Sequence, residues 1–344
     1  MPTGDIKRRI RAIKNTQQIT RAMKFVAAAK LRRARERMLA MRPYANAVDS
    51  LLRQVAEDMS GDEHPLFSPR RPVRRVAYVL IAGDRGLCGG FNTVLFRATD
   101  EYRRAHAGPE QVFFAVGGRA AGHLRKSGCR LLASYHDVFE KLSYLLAGEI
   151  CDRLAAMFSE PGDRRLDEAY VIYNEFASML TQRPVIRKIL PFDIQELRRR
   201  RRAGAAAGGF DDGNPGKVLE ELILEEEPDD IFDINDVEEE LADQRAEIEA
   251  KVKAEPVRPI YNLLPDPAGA LERLMARRMA TEIHRALLES HAAELASRMT
   301  AMDNAAANAE EMVAGLTLEL NRARQAGITM ELLDIIGGSG VRGD

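Results

Sequence analysis

The residues best placed to do chemistry form one run, Gly83-Asp84-Arg85-Gly86-Leu87-Cys88-Gly89-Gly90-Phe91-Asn92. A glycine-rich loop between a strand and a helix can cradle phosphate, because backbone N–H groups approach closely and a helix N-terminus favours negative charge. This run lacks the G-x-x-x-x-G-K-[ST] pattern and the full G-x-G-x-x-G. No acidic residue clearly ends the second predicted strand to hold a ribose. The expectation is therefore no nucleotide site, but a tight strand-to-helix connection whose glycines let backbone pass close to a neighbour. His64, His106, His123, His136, His284 and His291 are scattered, and none has a carboxylate or cysteine partner at metal-ligand spacing. His284 and His291 lie seven apart on one helix face, a spacing that suits packing or solvation. Cys88, Cys129 and Cys151 leave an odd thiol if two pair, so free thiols in a reducing compartment are the simplest reading. Cys88 reads as structural, since no local signature marks it as a nucleophile. No catalytic residue, metal site, nucleotide site or cofactor is assigned.

The elements around this run differ in texture from it. The chain has 344 residues and a formal net charge of −1, but its charge is unevenly spread. From Lys7 to Arg42 it is dense in Lys and Arg, with Glu36 the only acid, and from Glu220 to Glu255 it is dense in Glu and Asp. Different ends therefore suit different partners. The first segment predicts a long helix over about Ile6 to Met41, ended by Pro43. Ile6, Ile10 and Ile13 step by four and three, as in a coiled-coil seam. The same frame then meets Gln17, Thr20 and Lys24, and recovers at Ala27, Leu31, Ala34 and Met38. A second stripe, Ile19, Met23 and Val26, lies on another face. Polar residues inside a seam specify register or a second partner.

The last segment is more regular. Asp266 can cap a helix with Pro267 at its first position, and little interrupts it before Gly337 and Gly338. Leu288, Ala292, Leu295, Met299, Met302, Ala306, Ala309, Val313, Leu316, Leu320 and Ala323 alternate steps of four and three without a miss. That pattern predicts a coiled coil of roughly 100 Å at 1.5 Å per residue. Between the two helices, strands are predicted at 75–82, 111–116, 131–135, 169–176 and 184–190, and helices at 91–105, 119–126 and 139–158. Such alternation implies an α/β domain with a largely parallel sheet, drawn at 70–195. The remaining divisions are a helix within 1–58, a charged segment at 196–257 that is flexible or partly helical, and the helix of 258–338. Neither terminal helix can bury its seam alone. They are expected to pair antiparallel as a stalk on the α/β head, with the longer C-terminal helix extending past its partner.

Function classes follow from these features. The N-terminus is basic but no apolar h-region follows it, so no signal peptide is expected. The longest apolar stretch, Val76 to Ala82, is far short of a membrane span, so any membrane role is expected to be peripheral. The basic helix would neutralise nucleic-acid phosphates or meet acidic protein surfaces. Phe25 is the lone aromatic in its central part, which disfavours single-strand stacking, and Pro43 with the α/β domain separates it from any following zipper. A basic coiled-coil nucleic-acid binder with an α/β head is the alternative reading.

Four motifs in order resemble one family. The opening Ile6 to Lys24, IKRRIRAIKNTQQITRAMK, resembles the N-terminal signature of ATP synthase gamma subunits. Asp84 to Asn92 resembles their signature at the first strand-to-helix turn, and Arg298 to Ala305 and Asn321 to Thr329 resemble their C-terminal signatures. The resemblance covers 1–195 and 258–338. It implies an antiparallel coiled coil of the terminal helices with an inserted Rossmann-like α/β domain. It further implies a non-catalytic central-stalk rotor of a proton-driven F-type ATP synthase, coupling c-ring rotation to conformational change at the catalytic beta subunits. The implied partners are the alpha, beta and epsilon subunits and the membrane c-ring, without nucleic acid. The implied location is peripheral, on the cytoplasmic side of the cell membrane. By resemblance, Met23, Lys24, Arg324, Gln325 and Thr329 would touch the catalytic ring, and Tyr261, Asn262 and Leu263 the c-ring and epsilon side. Ile6, Ile10, Ile13, Leu295, Met299, Met302, Val313, Leu316 and Leu320 would form the seam. The segment from Gln195 to Val257 has no counterpart in ordinary family members and carries no cysteine, which excludes a disulfide switch there.

Overall fold

The computed structural model describes residues 3–58, 70–162, 165–179, 181–192 and 267–339. The chain divides into two units, one of Met1–Phe192 with Arg273–Asp344 and one of Asp193–Glu272. In the second unit only 267–272, the opening of the last helix, is described. Asp266 and the segment 196–257 lie outside the described residues.

Within the first unit, helix α1 (Thr3–Asp58) leads to strand β1 (Arg75–Ile81) and helix α2 (Phe91–Ala105). Then follow β2 (Glu110–Val116), α3 (Gly118–Lys126), β3 (Arg130–Tyr135), α4 (Tyr144–Ser159), β4 (Glu168–Phe176), β5 (Gln182–Leu190) and α5 (Pro267–Ser339). The sheet order is β3-β2-β1-β4-β5, parallel except for the antiparallel β4–β5 pair. β1, RVAYVLI, is buried at every position, as a central parallel strand covered on both faces must be. Tyr78 and Leu80 pack with Leu95 of α2, Phe113 of β2 and Leu124 of α3 in the main core. By alternation Ala77, Val79 and Ile81 face the opposite side. β5 carries Pro184, which the sheet edge tolerates because one side of that strand needs no ladder bond.

Two sequence expectations are corrected. Pro43 does not end α1, which continues to Asp58. The proline costs about 3 kcal/mol inside a helix. Beyond it, buried Val48 and Leu52 contribute about 3–5 kcal/mol together. Tyr44 meets Tyr144 edge-on with centroids 6.4 Å apart and accepts a hydrogen bond from Arg277 at 3.3 Å. Tertiary packing thus overrides the local break. Helix α4 begins at Tyr144 rather than at 139, because Ser143 caps it, its side chain accepting from the Leu145 N–H at 3.1 Å. Val138 and Phe139 are instead buried in the preceding loop.

The terminal helices pack antiparallel. Lys24 pairs with Asp303 at 2.7 Å, Arg21 with Glu310 at 2.7 Å, and Arg278 with Asp49 at 2.7 Å. Leu31 and Ala34 pack on Ala292, Leu295 and Ala296. The four-three frame begun at Ile6 runs on through Met41, Ala45, Val48 and Leu52, across the proline, and every member is buried or half-buried. Gln17, Thr20 and Lys24 occupy that frame, with Thr20 buried and Gln17 donating to Glu310 at 3.1 Å. The two exposed pairs, Lys24–Asp303 and Arg21–Glu310, each contribute at most about 1 kcal/mol, so their main effect is to set register. Stepping back from Lys24 to Thr3 takes α5 forward from Asp303 to Arg324. From Gln325 onward α5 therefore runs past the start of α1.

Candidate functional site

The Gly83–Asn92 loop sits at the carboxyl end of β1, where the strand order reverses between β1 and β4. In an open α/β sheet that switch point is the usual ligand crevice. Here α5 fills it. Ser290 reaches the Ile81 carbonyl at 3.5 Å, Ser297 donates to the Cys88 carbonyl at 2.9 Å, and Arg298 reaches the Gly86 carbonyl at 3.4 Å. Gly83 and Gly89 are explained by that approach. A Cβ on Gly83 would stand 2.8 Å from Glu294 Oε1, and Gly89, at φ +55°, lies against Ser297 and Ala301.

The loop is braced from within as well. Asp84 Oδ1 accepts the backbone N–H groups of Gly118 and Asp137 at 2.8 and 3.0 Å. Asn92 Oδ1 accepts the Gly83 N–H at 3.1 Å, and its amide donates to Cys88 Sγ at 3.3 Å. Burial raises the Cys88 thiol above its ordinary range, with Glu294 adding to the effect, so it is a packed thiol rather than a nucleophile. The Gly-rich run is thus a seat for the long helix.

A cleft of about 890 Å³ opens beside this junction, between α1, the loop, residues 137–140 and α5. Its mouth carries exposed apolar side chains: Ile19 at 60%, Val26 at 56% and Leu87 at 64% of full exposure. Lys30, Arg33 and Arg37 line the α1 side. The second stripe read from the sequence is therefore not buried against this chain. Ile19 and Val26 are exposed, and Met23 is half-buried in the cleft wall. Deeper in, His291 stacks on Phe139 with centroids 5.1 Å apart. Burial, then the charges of Arg37, Lys30 and Arg298, push its pKa down to about 4. Glu294, paired with Arg298 at 2.6 Å, is nonetheless raised, because burial outweighs the cation.

The residues singled out by resemblance fall into distinct places. Ile6, Leu295 and Met302 are buried, and Ile10, Ile13, Met299, Val313, Leu316 and Leu320 are half-buried, each on the face that meets the partner helix or continues it. Met23 and Lys24 lie near Asp303, whereas Arg324, Gln325 and Thr329 are exposed about 30 Å further along α5 at 1.5 Å per residue. They are two surfaces, not one matched set, because the antiparallel register separates them. Tyr261, Asn262 and Leu263 lie outside the described residues.

A buried charge network escaped the sequence reading. Arg187 of β5 donates to Glu282 at 3.0 Å, and Arg285 to Glu289 at 2.7 Å. Burial alone would raise the Glu282 carboxyl, but Arg187, Arg285 and Arg278 together hold it below the ordinary range. The signal was present: Arg278, Glu282, Arg285 and Glu289 alternate in sign at steps of four, three and four. Among the described residues no group of three His, Cys, Asp or Glu side chains could hold a metal ion. Among them, too, no helix is long and apolar enough to cross a membrane.

Fold and site together define a stalk protein: two antiparallel terminal helices, one of them seated across the crevice of an α/β head. The sequence pattern described as ATP synthase matches residues 3–340. The ATP synthase gamma chain of Pelotomaculum thermopropionicum is 36% identical over 336 residues, covering 97% of each chain. That of Chlorobaculum tepidum is 33% identical over 345 residues, covering 98% of each. The chain belongs to the ATP synthase gamma-chain family. Among solved structures, a chain of the Euglena gracilis mitochondrial ATP synthase (OSCP/F1/c-ring, rotational state 3) has a TM-score of 0.58 at 17% identity, covering 98% of this chain and 94% of that one. A chain of the Tetrahymena thermophila mitochondrial ATP synthase central stalk and c-ring has a TM-score of 0.53 at 22% identity, covering 83% of this chain and 99% of that one. The Tetrahymena chain is the shorter. The two bacterial relatives match this chain nearly end to end, so they have room for a counterpart of residues 196–257.

Proposed function

We infer that this chain is the central-stalk rotor subunit of an F-type ATP synthase, coupling rotation of a proton-driven c-ring to conformational change at catalytic beta subunits. The central-stalk role and the non-catalytic character follow from family membership. The observation that carries the mechanical reading is α5 itself. It is seated on the sheet by Ser290, Ser297 and Arg298, pairs with α1, and then runs free beyond it. The four-three packing of α1 on α5 supports an antiparallel coiled coil, and the sheet order with its switch point supports a Rossmann-like head.

Proposed partners are the alpha and beta subunits around the helices, and epsilon with the c-ring on the side of the head. The complex would lie on the cytoplasmic side of the cell membrane. The cleft beside Met23 combines exposed apolar side chains with Lys30, Arg33 and Arg37, which suits an acidic amphipathic surface of the ring. The exposed far end of α5, with Arg324, Gln325 and Thr329, is the second proposed ring contact. An asymmetric shaft turning against distant sites is a coupling between conformations, and reciprocity lets ATP hydrolysis turn it in reverse. The nucleic-acid alternative is set aside by family membership.

The test is Arg324→Ala with Gln325→Ala in the assembled, vesicle-reconstituted complex. We expect assembly to survive and ATP turnover or ATP-driven proton uptake to fall several-fold. Unchanged turnover and uptake would refute that contact.

A further inference from the structure

α5 packs on the rest of the chain through buried apolar side chains, large at Met275, Met279, Ile283 and Leu287 and small at Ala286, Ala292, Ala293 and Ala296. Along the same helix, Arg278, Glu282, Arg285 and Glu289 alternate in sign, and Glu282 and Glu289 are only 8% and 4% exposed. Arg278 and Glu282 have partners on other elements, and Arg285 and Glu289 pair within α5. Arg278 Nε binds Asp49 Oδ1 of α1 at 2.7 Å, and Arg187 Nη1 of β5 binds Glu282 Oε2 at 3.0 Å. Arg285 Nη1 stands 3.9 Å from Glu282 Oε1, and its Nε binds Glu289 Oε1 at 2.7 Å. One line of opposite charges therefore runs from α1 through α5 into the edge strand of the sheet.

We propose that this buried ladder, centred on the Arg187–Glu282 pair, is the torsional interlock that passes torque between the head and the shaft. The argument rests on how the two kinds of contact resist motion. Apolar packing resists separation, but its attraction is non-directional and follows the area buried, so it fixes angle less sharply. Such an ion pair resists displacement steeply, because a small shift leaves the buried Glu282 carboxylate uncompensated where little water can replace its partner. Such a pair adds little net stability over a well-packed apolar pair. Its place in an otherwise apolar interface is therefore accounted for by fixing position. Arg187 and Glu282 act as positioning residues, since neither faces the catalytic ring's proposed contacts. The proposal rests on the rotor reading given above.

The experiment uses the complete complex, held by its stator, with a bead attached to the head and rotation driven by ATP. The readout is the angular variance of the bead within each dwell, which reports torsional stiffness between shaft and head. The variants are Glu282→Gln, and the paired Arg187→Met with Glu282→Leu, which keeps an apolar contact at the site and leaves Arg285 with Glu289. We expect both variants to hydrolyse ATP within about twofold of the parent, and the variance to rise at least twofold. Parent-like variance in the paired variant overturns the interlock, as that pair would then be replaceable packing. Failure of both variants to assemble also overturns it, by showing a folding requirement instead. A complex that still rotates and pumps without this chain would refute the rotor reading itself, an outcome distinct from either.

Discussion

Replacing His291 with glutamine, which fills similar space but does not titrate, should remove part of the acid sensitivity of the folded chain. In the native structure His291 is partly buried, stacks on Phe139 at 5.1 Å, and faces the charges of Arg37, Lys30 and Arg298 from α1 and its own helix. Burial first, and these cations second, lower its pKa from 6.5 to about 4. The folded state therefore favours the neutral ring. Its contribution to stability is fully present above the unfolded value of 6.5 and is lost as pH falls towards 4. The full loss is about 3 kcal/mol, and about 2 kcal/mol has gone by pH 5. His284 is lowered by burial in the same direction and remains in both proteins, so it cancels in the comparison. Glu282 acts in a lower window: its depressed carboxyl contributes stability above its unfolded value of 4.5, lost as pH falls through its lower folded value. Glu294 has the opposite sign, its raised carboxyl favouring the folded state below 4.5 and losing that contribution as pH rises through the folded value. The assay is urea unfolding of the chain and of His291→Gln at pH 8 and pH 5. The parent should lose about 2 kcal/mol more than the variant between those two values. Losses equal to within about 0.5 kcal/mol would refute the assignment of His291 as a buried neutral ring.

Two further outcomes follow from the helix seat. Gly83→Ala should cost about 1.5–3 kcal/mol in urea unfolding, because its Cβ, 2.8 Å from Glu294 Oε1, displaces a carboxylate held by Arg298 at 2.6 Å. In a Glu294→Ala background that cost should mostly vanish, and an undiminished cost would show the clash to be elsewhere. Calorimetry with Mg-ATP should detect no micromolar binding to the isolated chain, since α5 occupies the switch-point crevice. Micromolar binding abolished by substituting Gly86 or Gly89 would mean that the loop holds phosphate after all.

The periodicities in this chain were legible without coordinates. Steps of four and three from Leu288 to Ala323 can be satisfied in one line by a helix alone, and the apolar run at 76–82 suits only a buried strand in that context. The strand and helix alternation likewise led to a mostly parallel sheet, because each local pattern agreed with its neighbours. What the sequence left open depended on which surfaces met. Pro43 is a helix breaker by local chemistry, and only the burial of Val48 and Leu52 beyond it, with Tyr44 against Tyr144, carries α1 through. The Gly83–Asn92 run has the composition of a ligand loop, and only the passage of α5 across it makes the glycines a seat for a helix. Arg278, Glu282, Arg285 and Glu289 look like a solvated face by composition, yet Arg187, more than ninety residues away, turns them inward. Met23 and Arg324 belong to the N-terminal and C-terminal family signatures, and the antiparallel register sets them about 30 Å apart. Local pattern is written in spacing along the chain, because helix and strand periods are properties of the backbone. The partner of a buried charge or a close-packed glycine is chosen by residues distant in sequence, so it is decided only when the elements pack.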